Sequence, residues 1–330
     1  MQEGYSVLFR DGVVVEEPGK SYVGYVYANK GKIVAVGKGE PPDEYAFATY
    51  NINGKGRILT PGLICPLTSL TKHPSRFGGK EAETDEELYY AALMALQDLL
   101  LSGFTTVGTI ESKVEPVVRA VVQAGIRAVI FVDSSAPGWK DQLRLLLNKW
   151  KGYEERIYAG VAALNGDEEA VKLARELGLP LVSPKEGIVL KEAEGIAKER
   201  GVVLLERGGV RTYGFLGSKT TNLMNVIRTL YYTGTGALEA FKAVTVNAAE
   251  VLGLEKVGKL KPGYYADMVV WDVSEPPGWT AGKGEPEEVI IATNPKVEAV
   301  IAAGEVVVDI SQMLTIGAKD VKRARRLFGG

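Results

Sequence analysis

Histidine and cysteine are almost missing from this 330-residue chain, which carries one of each, His73 and Cys65. Borderline-soft ions such as zinc favour nitrogen and sulfur donors, and a hydrolytic site takes several of them. One imidazole and one thiolate cannot build such a site. A single cysteine also excludes an internal disulfide, and a reducing cytoplasm is the natural reading. No run of about 18 apolar residues is available to span a bilayer, so no membrane partner is expected. Excess charge is lacking too: 39 Lys and Arg against 41 Asp and Glu leave a net charge of −2, which argues against general nucleic-acid binding. The opening residues Met1-Gln2-Glu3-Gly4-Tyr5 are acidic where a signal peptide would be basic, so a soluble cytoplasmic protein is expected.

What is present is enough apolar content, 46%, for one barrel-sized core and a small second domain. Residues 1–56 read as short strands. Arg10-Asp11-Gly12 lies between runs at 5–9 and 13–15, and Asn29-Lys30-Gly31-Lys32 between runs at 22–28 and 33–36; both have the composition of hairpin turns. Strands this short need a partner segment to close a core, and the far C-terminus is the candidate. The stretch Gly56-Arg57-Ile58-Leu59-Thr60-Pro61-Gly62-Leu63-Ile64-Cys65-Pro66-Leu67-Thr68-Ser69-Leu70 then reads as a chain leaving that small domain for the first strand of another.

From Thr84 the pattern alternates. Thr84-Asp85-Glu86-Glu87 has capping-box form, and Leu88, Ala91, Ala92, Ala95, Leu96, Leu99 and Leu100 recur on one helical face. Strands are expected at 104–110, 126–132, 157–164, 179–182 and 202–205, with helices at 114–124, 143–150, 168–177 and 190–200 between them. Buried strands alternating with amphipathic helices imply a parallel sheet with right-handed crossovers, either barrel or open. The tail 318–328, with Lys322, Arg323, Arg325 and Arg326, reads as a solvated or docking helix.

The stretch around Pro61-Gly62 resembles the amidohydrolase superfamily, whose members pass from a β-sandwich into a (β/α)8 barrel through a Pro-Gly-aliphatic-Ile-Asp-x-His-x-His segment. Cys65 stands at the Asp position, Leu67 and Ser69 at the two His positions. Ser102-Gly103-Phe104-Thr105-Thr106-Val107 is similar to the second-strand signature and Ala124-Gly125-Ile126-Arg127-Ala128 to the third. Lys185-Glu186-Gly187-Ile188-Val189-Leu190 resembles the Ala-His-Gly segment, with Glu186 at the His position, and Gly217-Ser218-Lys219 the Gly-Thr-Asp motif, with Lys219 at the Asp position. The closing pattern runs from Thr245-Val246-Asn247-Ala248-Ala249-Glu250 through Gly263-Tyr264-Tyr265-Ala266-Asp267-Met268. The resemblance, closest to the cytosine-deaminase and chlorohydrolase branch, implies an α/β fold. Its (β/α)8-type barrel covers 59–257, a composite β-sandwich is formed from 1–58 and 258–310, and 311–330 is a tail. About seven barrel strands are countable, so either two merge around 179–190 or the barrel is incomplete.

With every metal-ligand position substituted, the resemblance implies a family member without cofactor that has lost metal-dependent C–N hydrolysis and serves as a ligand-binding or assembly scaffold, a pseudoenzyme. Its partners would be a small anionic ligand, a second copy or a catalytic relative. The alternative is an active hydrolase of a cyclic amide or aminated heterocycle with an atypical ligand set and one divalent metal, zinc, manganese or magnesium. Strand ends on the active face would bring Cys65, Ser69, Glu111, Asp133, Ser183, Lys185, Glu186, Glu206 and Lys219 to the barrel mouth. Lys219, with Lys185, would stand in for the lost cation, either holding the mouth together or binding an anion. His73 reads as a surface-loop residue and Cys65 as a buried, inert thiol.

Overall fold

In the computed structural model, which describes residues 5–193, 202–216, 223–279 and 284–329 without the side chains of 76 and 77, two sheets organise the chain. The first has nine strands from both ends of the sequence: β1 (Ser6–Glu17), β2 (Lys20–Asn29), β3 (Lys32–Lys38), β4 (Tyr50–Asn53) and β5 (Arg57–Pro61), then β14 (Met268–Asp272), β15 (Lys296–Ala302), β16 (Glu305–Asp309) and β17 (Gln312–Met313). The two halves meet where β5 pairs antiparallel with β14, Thr60 opposite Val269 and Ile58 opposite Trp271.

Of the two expected N-terminal turns, one forms. Lys30 and Gly31, both at positive φ, close the β2–β3 hairpin as a two-residue turn requires. Arg10-Asp11-Gly12 does not reverse the chain. Phe9 and Gly12 face Val26 and Gly24 on the same β2, so β1 continues through a bulge that Asp11 absorbs at φ 62°. The reversal comes instead at Pro18-Gly19, between β1 and β2.

The passage to the second sheet is tight. Gly62 donates its N–H to the Asp267 carbonyl at 2.8 Å, and a Cβ there would lie 2.0 Å from the Thr105 hydroxyl. Only glycine allows so close an approach. The second sheet is a nearly closed barrel of eight strands in the spatial order of the sequence: β6 (Leu63–Thr68), β7 (Phe104–Glu111), β8 (Arg127–Asp133), β9 (Ile157–Ala162), β10 (Leu181–Ser183), β11 (Ile188–Glu192), β12 (Val202–Arg207) and β13 (Val210–Phe215). At the seam β13 packs against β6: a Cβ on Gly214 would stand 2.7 Å from the Leu67 carbonyl oxygen.

Helices α1 (Asp85–Leu101), α2 (Val114–Ala124), α3 (Trp139–Leu145) and α4 (Glu168–Glu176) fill the crossovers from β6 to β10. The capping box at Thr84 and Glu87 forms, and Gly125 ends α2 in the left-handed conformation. α3 begins four residues before the expected start and runs into a π turn over Leu146–Trp150.

The alternation then breaks. β10 and β11 are parallel, yet only residues 184–187 join them, far fewer than a helical crossover needs. The expected helix at 190–200 is corrected in its first turn, where Leu190, Lys191 and Glu192 are strand; residues 194–200 lie outside the described residues. β12 pairs antiparallel with both neighbours and turns into β13 at Gly208-Gly209, each at positive φ. β12 alone is reversed, and the reversal returns β13 to the parallel direction beside β6.

The interior is apolar. Ile64, Leu67, Ile110, Val129, Phe131, Ala162, Val182, Ile188 and Leu205 form one buried cluster along the barrel axis, continued by the helix Val246–Leu252. Side chains of the opposite parity, Val107, Ala128, Ile130, Val132 and Val161, join the cluster beneath the outer helices. The C-terminal helix Ala318–Phe328 docks through Arg323, which donates to both oxygens of Glu86 at 2.8 Å. Among the described residues no helix is long and apolar enough to cross a membrane.

Candidate active site at the barrel mouth

Strand parity decides which strand-end side chains can face the axis, because neighbours alternate between faces. Ile110 pairs with Phe131 and Gly160 lies beside it in the next strand, so these are interior positions; Glu111 pairs with Val132, one step over and outward. Glu111 is 2% exposed and surrounded by donors. One carboxylate oxygen accepts from the Leu70 N–H at 2.7 Å and the Thr109 hydroxyl at 2.5 Å, and the other from the Thr71 hydroxyl at 2.5 Å. Burial pushes its pKa up, while those hydrogen bonds pull the other way. Glu111 therefore staples the loop after β6 to the tip of β7.

The first-strand positions are equally spent. Leu67 is wholly buried in the axial cluster. Cys65, two residues before Leu67, faces the other side because the β6 register shifts between Cys65 and Thr68; it pairs with Val107 and is a buried thiol in the cluster beneath the outer helices. Ser69 is buried just past the end of β6. Asp133 has interior parity at the tip of β8, opposite Ala162, but accepts from the Ser135 N–H at 2.9 Å and hydroxyl at 2.7 Å, capping its own turn. His73 sits partly buried in the loop after β6, its Nε2 3.5 Å from an Asp98 carboxylate oxygen.

Four expected mouth residues lie elsewhere. Ser183 is buried and closes the β10–β11 loop, donating to the Glu186 carbonyl at 2.7 Å and accepting from its N–H at 2.9 Å. That loop doubles back, because Ile188 must lie beside Val182. Lys185 is thereby exposed, and Glu186 pairs with Arg175 at 2.8 Å, at the returning end of α4. Glu206 is near the end of the reversed strand, opposite Val189, and so lies toward the N-terminal face of the barrel. Lys191 at 3.2 Å and Arg211 at 3.1 Å hydrogen-bond to it and hold its carboxyl below the usual range. Lys219 lies outside the described residues. Thr71 and Thr109 are the partners that sequence reasoning missed; a threonine two residues before a strand-end Glu shares its face, which was the available signal.

Residues 166–307 match the model of the Amidohydrolase family. Over that stretch the chain is similar to the amidohydrolase superfamily. A 5-methylthioadenosine/S-adenosylhomocysteine deaminase of Desulforudis audaxviator is 24% identical, with 98% of this chain and 99% of that protein covered. That alignment runs to 426 positions against 330 residues here. Among solved structures, atrazine chlorohydrolase from Arthrobacter aurescens complexed with zinc superposes with a TM-score of 0.79 at 16% identity, covering 97% of this chain and 99% of that one. An adenosine deaminase from Xanthomonas campestris with bound zinc gives 0.78 at 17% identity, covering 97% of each.

Zinc in both of those structures overturns the expectation of a superfamily member without cofactor and points to a divalent metal. The described donors do not fit that ion. Leu67 offers no lone pair, the Glu111 oxygens are occupied by hydroxyl and amide donors, and Glu186 is committed to Arg175. Among the described residues no three of His, Cys, Asp and Glu are grouped closely enough to hold a metal.

Proposed function

We propose that this protein hydrolyses a non-peptide C–N bond of an aminated heterocycle or cyclic amide, through a donor set unlike that of its relatives. The observation that supports this reading is the end-to-end match to a 5-methylthioadenosine/S-adenosylhomocysteine deaminase, which runs through both sheets rather than through one motif. In this reading the described residues at the mouth act as positioning groups. Glu111 holds the β6 loop in place through Thr71 and Leu70, and Asp133 fixes the turn after β8.

A second reading, a barrel retained for ligand binding or assembly without hydrolysis, is favoured by Leu67, which places an aliphatic side chain where a donor is required. One experiment separates the two. The full chain, purified with added zinc or manganese, is analysed for bound metal and then given 5-methylthioadenosine, S-adenosylhomocysteine and a panel of aminated purines and pyrimidines, with ammonia release as the readout. The proposed function predicts a retained divalent ion and enzyme-dependent ammonia from at least one substrate. A folded protein that releases none defeats it and leaves the scaffold reading.

A further inference from the structure

We propose that the barrel carries a second binding site, on its N-terminal face, for a small organic phosphate with an apolar or aromatic body. A cavity of about 560 Å³ opens there, within the range of ligand pockets. Its place in the fold follows from the broken alternation: no helix covers the β10–β11 connection, and the reversed β12 delivers Arg207 to this end.

Val129, Ile188 and Leu252 form the floor, the underside of the barrel's own apolar filling, and Tyr158 adds an aromatic wall. Lys151, Arg175 and Arg207 supply three cations against one carboxylate, Glu186, which is paired with Arg175. Arg207 donates to the Val251 carbonyl at 3.3 Å, and neither it nor Lys151 has a carboxylate partner among the described residues. The absence of a side chain at Gly253 makes room for that guanidinium: a Cβ would sit 2.6 Å from its Nη1. A lining with surplus positive charge above an apolar floor selects a ligand with an anionic head and an apolar body. The planar guanidinium fork suits phosphate oxygens. The site is remote from the mouth and does not rest on the hydrolytic reading.

The test is isothermal titration of the full chain with adenosine 5′-monophosphate, inorganic phosphate and adenosine at low and moderate salt, repeated on Lys151→Gln and on Lys151→Gln/Arg207→Gln. The site predicts tighter binding of the nucleotide than of either fragment, weakening with salt. It also predicts a loss of about tenfold or more in the double variant. Lys151→Gln alters an exposed side chain, so its melting temperature should match wild type while its affinity falls. Equal affinity of wild type and the folded variants, or no binding of either phosphate, overturns the proposal.

Discussion

Arg127 and Asp267 join the barrel to the nine-stranded sheet, and the strength of that joint can be worked out from the groups around it. Arg127, the first residue of β8, is 0% exposed, and Asp267, just before β14, is 3% exposed. The guanidinium Nε donates to Asp267 Oδ2 at 3.0 Å, and Asp267 Oδ1 accepts from the Ala303 N–H at 2.6 Å. Arg127 also donates to the Glu155 carbonyl and lies 4.0 Å from the centre of the Tyr265 ring, while its Nη2 has no hydrogen-bond partner. Removing one member of a buried pair strands the other charge, at a cost of about 3 to 5 kcal/mol. Arg127→Met leaves a carboxylate with the Ala303 amide, and Asp267→Asn leaves a guanidinium with one carbonyl and a ring face. Because each orphan keeps a partner, the lower end, about 3 kcal/mol, is expected for either variant. Replacing both removes both charges, so the double variant should be less destabilised than the sum by about 2 kcal/mol or more. Equilibrium unfolding in urea, followed by circular dichroism, measures all three. Additivity within about 0.5 kcal/mol would show that the pair does not couple the two sheets.

Glu111 gives a prediction of opposite sign with pH. Burial raises its folded pKa, so the contribution it makes to stability is present below the ordinary carboxylate value and is lost as pH rises through the folded pKa. Glu111→Gln keeps the shape without the charge and should melt at or above the wild-type temperature at pH 8, with the gap closing toward pH 4; a variant that loses ground as pH rises would contradict this. Glu87 behaves conversely. The Lys80 ammonium, and then the Thr84 and Glu83 amides, hold its pKa at about 2, so its contribution is present above the ordinary value and lost as pH falls through about 2. Glu87→Gln should flatten the acid limb of the melting-temperature profile below about pH 4.5, where wild type declines. An unchanged acid limb would exclude this capping box as its source.

Local chemistry was legible wherever it was sufficient by itself. The capping box at Thr84, the stop at Gly125, the hairpin at Lys30-Gly31 and the alternation from β6 to β10 all follow from residue type and spacing within a few positions. The crossing at Pro61-Gly62 was legible from a Pro-Gly pair set between two apolar runs, and the structure adds that the close approach to Thr105 admits no side chain there. Composition alone also limited the donors available to a metal to one imidazole, one thiolate and carboxylates.

Which of those carboxylates faces the axis was decided only in three dimensions. Glu111 and Glu206 both stand at strand ends, but pairing with Val132 turns the first outward, and the reversal of β12 carries the second to the opposite end of the barrel. Glu186 is drawn aside because four residues must bring Ile188 back beside Val182. A strand's face changes with a shift of one residue and its end changes with its direction. Both are set by hydrogen-bonded partners far away in the chain, so the residues themselves could name the candidate donors but could not place them.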